Sequence, residues 1–307
     1  SRSDGRWLIE KLSVAYAPSM SSLWEIVKRG NERRAKRPKD LIAFGDPDYG
    51  AIPSSGGSAT SLQDRLSRGG FPRLNFSGAE VRKISAFIAP DRKDIRIRDR
   101  ASEQELKKLP LEDYKILHFA AHGVIDDQKP ARSAIVLSTA GDDREDGFVQ
   151  VREIYNLKLN ADLVSLSACQ TGLGQYVQGE GIEGLNRAFF YAGASSVLTS
   201  LWSINDQASA QLMERFYYHL KNRSNLMDAL REAKIEMIQS GVLSHPYYWG
   251  AFLLTGNASR KPFQRPVLNG MTLGLAFSLV MGFSIVWRVR TRGKRAQNRR
   301  LKKIGHS

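Results

Sequence analysis

The chain of 307 residues has one cysteine, Cys169. A single thiol cannot close an intramolecular disulfide, so Cys169 is inert packing, a reactive thiol or an intermolecular link. Acidic residues are missing from the last twenty positions, which hold nine basic ones: Arg288, Arg290, Arg292, Lys294, Arg295, Arg299, Arg300, Lys302 and Lys303. Subtracting these nine from the formal net charge of +15 leaves +6, an ordinary balance, so the basic excess belongs to a tail. Nucleic-acid binding through Arg288 to Lys303 is a further reading, disfavoured because the run follows a candidate membrane segment and can bind anionic lipid instead, so no nucleic acid is expected as a partner. Charge of either sign is missing from Pro266 to Trp287. A helix needs about 20 apolar residues to cross a bilayer, so 266–287 is expected to be a transmembrane helix with Trp287 as its interfacial anchor. The tail at 288–307 is expected to stay cytoplasmic and to meet anionic lipid. Neither disorder nor a repeat array is indicated by a composition that is 42% hydrophobic, which allows a full core.

Two short apolar runs carry the best chemical clue. Ile116 to Ala121 ends in His122-Gly123, and Asp162 to Ala168 ends in Cys169-Gln170-Thr171-Gly172. Each reads as a buried parallel strand delivering its last side chain to the carboxyl edge of a sheet, where open α/β sheets keep their active sites. A thiol there can attack a carbonyl carbon, and an imidazole can act as general acid and base. The backbone N–H groups of Gly123 and Cys169 are candidate donors to the oxyanion that forms. No third catalytic side chain stands out. His118, four residues before His122 in the same run, is expected to be a hydrogen-bonded core residue facing the same side. No ligand set surrounds the two histidines, so neither a metal nor a cofactor is expected. Asp206 and Glu180 are candidates for lining a substrate pocket for a basic side chain. For Asp206 the competing reading is a helix N-cap.

The remaining pattern alternates strands and helices. Strand character is read at Trp7–Tyr16, Leu41–Pro47, Ile95–Ile97, Ala134–Leu137, Ser196–Leu201 and Ala251–Leu254. Helical spacing is read at Ser21–Lys28, Gly78–Ala89, Ser102–Lys108 with Ser-x-x-Glu capping, Val151–Tyr155, Glu183–Tyr191, Asp206–Lys221 and Leu226–Gln239. Ala51–Phe71 is expected to be a mobile surface loop. Gly141–Gly147 reads as a hairpin-like turn, and the glycine-rich Gly179–Gly184 as a loop entering a helix. The alternation predicts an α/β sandwich with a mostly parallel sheet.

Six stretches, in order, resemble one family: His118-Phe119-Ala120-Ala121-His122-Gly123, Leu166 to Gly172, Gly179-Glu180-Gly181, Ala188 to Ala194, Ser200 to Asp206 and Pro246 to Phe252. Together they are similar to the CHAT domain, a caspase-like module associated with tetratricopeptide repeats and related to caspases, gingipains and separase. The resemblance implies a caspase-like three-layer α/β/α sandwich and a cysteine peptidase acting on protein or peptide substrates through a His122/Cys169 dyad. The resemblance implies a domain at 1–257 lacking its N-terminal start, which a linker at 258–265 is expected to join to the membrane helix and the tail. The chain begins at Ser1 without methionine and is read as the C-terminal piece of a longer protein, with a regulatory repeat region expected upstream. The alternative function is a catalytically silent scaffold that recruits partners at the membrane.

Overall fold

The computed structural model describes residues 5–32, 37–50, 71–126, 129–138, 145–167, 180–222 and 224–263. The expected membrane helix at 266–287, the tail, Cys169, all of the expected Ala51–Phe71 loop but Phe71, and most of the Gly141–Gly147 turn lie outside these residues. Among the described residues no helix is long and apolar enough to cross a membrane.

Strand β1 (Lys39–Pro47) is buried from Asp40 onward. A strand can be apolar on both sides only if both faces of its sheet are covered. Alternation sends Leu41 and Ala43 into one core, with Ile116, Leu163 and Leu198, and Ile42 and Phe44 into the other, with Leu117, Phe119, Val164 and Val197. β1 is joined by β2 (Lys93–Arg98), β3 (Tyr114–Ala120), β7 (Leu163–Leu166), β8 (Ser196–Ser200) and β9 (Phe252–Gly256) in the order β2-β1-β3-β7-β8-β9. All pairs are parallel except β8 with β9. Three short strands, β4 (His122–Val124), β5 (Ala134–Val136) and β6 (Phe148–Gln150), form a separate antiparallel sheet.

One face is covered by α1 (Met20–Glu32), α3 (Glu103–Lys108), α4 (Val151–Ile154) and α5 (Glu180–Ala192), through Ile26, Leu106, Ile154 and Phe189. The other is covered by α2 (Ser77–Ala86), α6 (Asp206–Lys221) and α7 (Leu226–Gln239), through Val81, Phe216 and Leu230. The short α8 (Pro246–Trp249) adds Trp249 to that second core. The result is the expected α/β/α layering with a mostly parallel sheet. Phe119 stacks on Phe44 with ring centroids 5.3 Å apart, a contact of about 1 kcal/mol beyond its buried area.

Three expectations change. The run from Ile116 to Gly123 is not one strand: β3 ends at Ala120, and His122 opens a strand of the other sheet, so His118 and His122 do not share a face. Trp7–Tyr16 is not a strand but a 3-10 turn at Leu8–Glu10 followed by a single bridge from Tyr16 to Thr255. Ala258 to Phe263, read as the start of a linker, packs on the body instead. Leu226 N–H bonds to the Arg260 carbonyl, and Lys115 Nζ to that of Pro262. By contrast, Ser102 caps α3 as its spacing predicts, accepting from the Glu105 N–H at 3.3 Å.

Lys234 on α7 is buried, and its Nζ donates to the Phe252 carbonyl at 2.7 Å. Burial pulls its pKa down to about 8 from an ordinary 10.5. Between those values the unfolded chain binds the extra proton, so this group makes stability rise with pH from about 8 to 10.5 and lowers it throughout the range below 8. We expect Lys234→Met to be more stable than wild type at pH 7 by up to about 3 kcal/mol, with the advantage vanishing by pH 10.5, in denaturant titrations.

Candidate active site

β2 and β3 flank β1 on opposite sides. A reversal of this kind opens a crevice at the carboxyl ends of the two strands. β3 and β7 are next to one another, with Phe119 level with Leu166. Their carboxyl ends therefore leave the sheet together, one leading to His122 and the other to Ser167. Ser167 is fixed at that exit by its N–H on the Phe119 carbonyl at 2.9 Å and by its hydroxyl against that of Ser209, also at 2.9 Å. Cys169 follows two positions later and lies outside the described residues.

His122 is 3% exposed and held on three sides. Its N–H donates to the Tyr49 hydroxyl at 3.1 Å. The imidazole packs beside the rings of Tyr49 and Phe71, with centroids 5.1 and 5.4 Å away, and those two rings also touch one another. Its Nε2 bonds to the Pro72 carbonyl at 2.7 Å. A carbonyl oxygen only accepts, so Nε2 must donate, and in the neutral ring Nδ1 is the basic nitrogen. The Tyr49 hydroxyl is held in its protonated form, its pKa raised by burial and by the negative charges of Asp46 and Asp206, although its bond to His122 opposes this. Gly123 pairs with Ile135 across β4 and β5.

Asp206 is the first residue of α6, and its Oδ2 accepts from the Phe76 N–H at 2.6 Å. The cap is Asn205, whose side chain accepts from the Ala208 N–H at 3.2 Å, so the N-cap reading of Asp206 is one residue off. Burial raises the Asp206 pKa, as do the charges of Glu80 and Asp46, while the Phe76 N–H works against them. An acid in such a setting gains from a cation arriving beside it. Glu180 opens α5, so the glycine-rich stretch expected as a loop is already helical from that residue.

Sequence reasoning missed Tyr49, Phe71 and Pro72. A backbone carbonyl leaves no side-chain signature, and Phe71 sat at the end of a stretch read as mobile; it is 4% exposed. His118 is the buried residue expected, with Nε2 2.8 Å from Glu80 Oε1 and Nδ1 3.1 Å from the Tyr217 hydroxyl. Among the described residues one set of carboxylates converges, Glu103, Glu145 and Glu153, and the Lys107 ammonium already lies 2.7 to 3.0 Å from each.

Comparison with known proteins places this arrangement in a family. Tetratricopeptide repeat protein 28 of Mus musculus and that of Homo sapiens are each 36% identical to the chain over 105 residues, covering 34% of this chain and 4% of theirs. The chain thus spans a small fraction of the curated relatives it matches. Among solved structures, the Saccharomyces cerevisiae separase–securin complex aligns with a TM-score of 0.47 at 15% identity, over 80% of this chain and 14% of that one. The complex of Porphyromonas gingivalis RgpB pro- and mature domains aligns with a TM-score of 0.48 at 10% identity, over 77% of this chain and 52% of that one. The family model of the CHAT domain matches residues 1–257, and the chain belongs to the CHAT domain family.

Proposed function

We propose that the chain is a cysteine endopeptidase in which Cys169 is the nucleophile and His122 the general acid and base. The observation that carries this reading is the Nε2 bond to the Pro72 carbonyl, which makes Nδ1 the basic nitrogen of the neutral ring; the shared exit of β3 and β7 supports its meeting Cys169. In the reaction His122 Nδ1 takes the thiol proton and the Cys169 sulfur bonds to the carbonyl carbon. The resulting oxyanion accepts from the N–H groups of Gly123 and Cys169. Collapse to a thioester breaks the C–N bond, and the amine leaves with the proton from His122. Water then hydrolyses the thioester with His122 again as base.

Asp206, with Glu180 as a second candidate, selects a basic side chain next to the cleaved bond. The raised pKa of Asp206 supports this role, since that carboxylate sits beside other acids. Asn in its place keeps an acceptor for Phe76 and removes the charge. We expect Asp206→Asn to lose roughly 10- to 100-fold of its preference for Lys or Arg over neutral residues in kcat/KM across a peptide series. The same change should raise the melting temperature at pH 7. A carboxylate whose pKa is higher in the fold than in the unfolded chain loses stability as pH rises through that interval, and Asn does not. An unchanged preference would remove Asp206 from the pocket.

The uncharged segment 266–287 and the basic tail support anchoring in a membrane, and the repeat-protein name of the curated relatives supports regulation by repeats upstream. The function is tested by incubating the protein with a mixed peptide library and sequencing the new termini. The expected products end in Lys or Arg and are missing with Cys169→Ala.

A further inference from the structure

Asp46 stands at the end of β1 with φ +46°, a backbone region that side-chain-bearing residues seldom enter. Glycine would fit this backbone with less strain, yet the position carries a carboxylate, and strained residues of this kind gather at functional sites. Its side chain is 8% exposed. Its two oxygens receive parallel bonds from Arg73, Nε to Oδ1 and Nη2 to Oδ2, both at 2.8 Å. Arg98 Nη1 is 3.5 Å from Oδ1, and the Asp46 N–H donates to Ser77 Oγ at 2.9 Å. A fork of two bonds fixes direction as well as distance. The residue it fixes, Arg73, directly follows Phe71 and Pro72, which supply a ring face and the carbonyl to His122.

We propose that Asp46 is a positioning residue for His122, acting through Arg73: the carboxylate–guanidinium fork holds the 71–73 backbone so that the Pro72 carbonyl stays on Nε2 and the imidazole keeps the tautomer the reaction needs. The energy of the pair is not the point, since Arg73 is 59% exposed and such pairs contribute little to stability. Its effect is geometric. Loss of the fork lets the carbonyl drift and leaves the ring free to exchange its proton between nitrogens.

The inference rests on the peptidase reading for its consequence but not for its test. The full chain has five histidines, so histidine-selective isotope labelling gives a small set of ring signals. Long-range nitrogen–proton spectra at alkaline pH report the tautomer of each, and His122→Ala assigns the one that matters. Wild type should show His122 as the Nε2–H form. Arg73→Met, on an exposed side chain, and Asp46→Gly, which suits the local backbone, should both give a mixture of tautomers. The His118 signal should stay unmoved as a control for folding. Turnover should fall roughly 10- to 100-fold in kcat with KM within about twofold. A His122 that remains wholly Nε2–H in both variants overturns the proposal. Wild type that shows the Arg73-dependent tautomer but cleaves no peptide leaves the clamp standing and overturns the peptidase reading instead.

Discussion

Cys169→Ala is expected to reduce kcat by roughly 10^4-fold or more while leaving the melting temperature within a few degrees of wild type. Alanine has no atom to form the thioester, so residual turnover comes only from binding and oxyanion donors. His122→Ala should cost a similar factor, because an unassisted thiol is a few per cent thiolate at neutral pH and cannot protonate the leaving amine. The double variant should be no slower than either single one, since the two groups act in one step. His122→Ala should also destabilise the protein. It leaves a void beside Tyr49 and Phe71 and strips the Pro72 carbonyl of its donor. Activity and thermal melting therefore separate the two residues: equal loss of rate, unequal loss of stability. Turnover that survives in Cys169→Ala would contradict the assignment of the nucleophile.

Glu80→Leu is expected to destabilise the protein by about 3 kcal/mol, a fall in melting temperature on the order of 10 °C. Glu80 and His118 are 1% and 0% exposed, 2.8 Å apart, and His118 is tied on its other side to Tyr217. Removing Glu80 leaves a histidine nitrogen in the core with its partner gone, and the desolvation of that nitrogen is then uncompensated. Replacing both members by leucine removes the orphan along with the pair, so Glu80→Leu/His118→Leu should recover at least half of the loss. Chemical denaturation of the four species forms a double-mutant cycle. Losses that simply add would mean that the two side chains are not energetically coupled.

The fold was legible where period and caps speak locally. β1 alternates between two cores because Leu41, Ile42, Ala43 and Phe44 are all apolar, and Ser102 with Glu105 marks the start of α3. The break between β3 and β4 was not legible, because Ala120, Ala121 and His122 continue the apolar pattern. Only pairing with Val136 pulls His122 into the second sheet. At α6, Asn205 and Asp206 are both good capping residues, and the backbone chose the first. At the site, His122 and Asp206 could be named because their side chains carry chemistry. The Pro72 carbonyl could not, since any residue offers that atom, and the Asp46–Arg73 fork joins positions 27 residues apart that no short motif links. Trp7 to Tyr16 misled because it makes a single bridge rather than a ladder: Trp7 packs edge-on to Trp249 at 5.5 Å, while Leu8, Leu12, Val14 and Tyr16 are exposed.

The most direct test of the His122/Cys169 assignment is covalent. The detergent-solubilised full chain is treated with a peptide acyloxymethyl ketone carrying Lys or Arg next to the reactive group, and the adduct is mapped by mass spectrometry. One adduct, on Cys169, that disappears in His122→Ala is the result expected. Absence of any adduct, in a folded protein whose Cys169 is alkylated by a small haloacetamide, would contradict the peptidase reading and leave a CHAT domain that binds partners without cutting them.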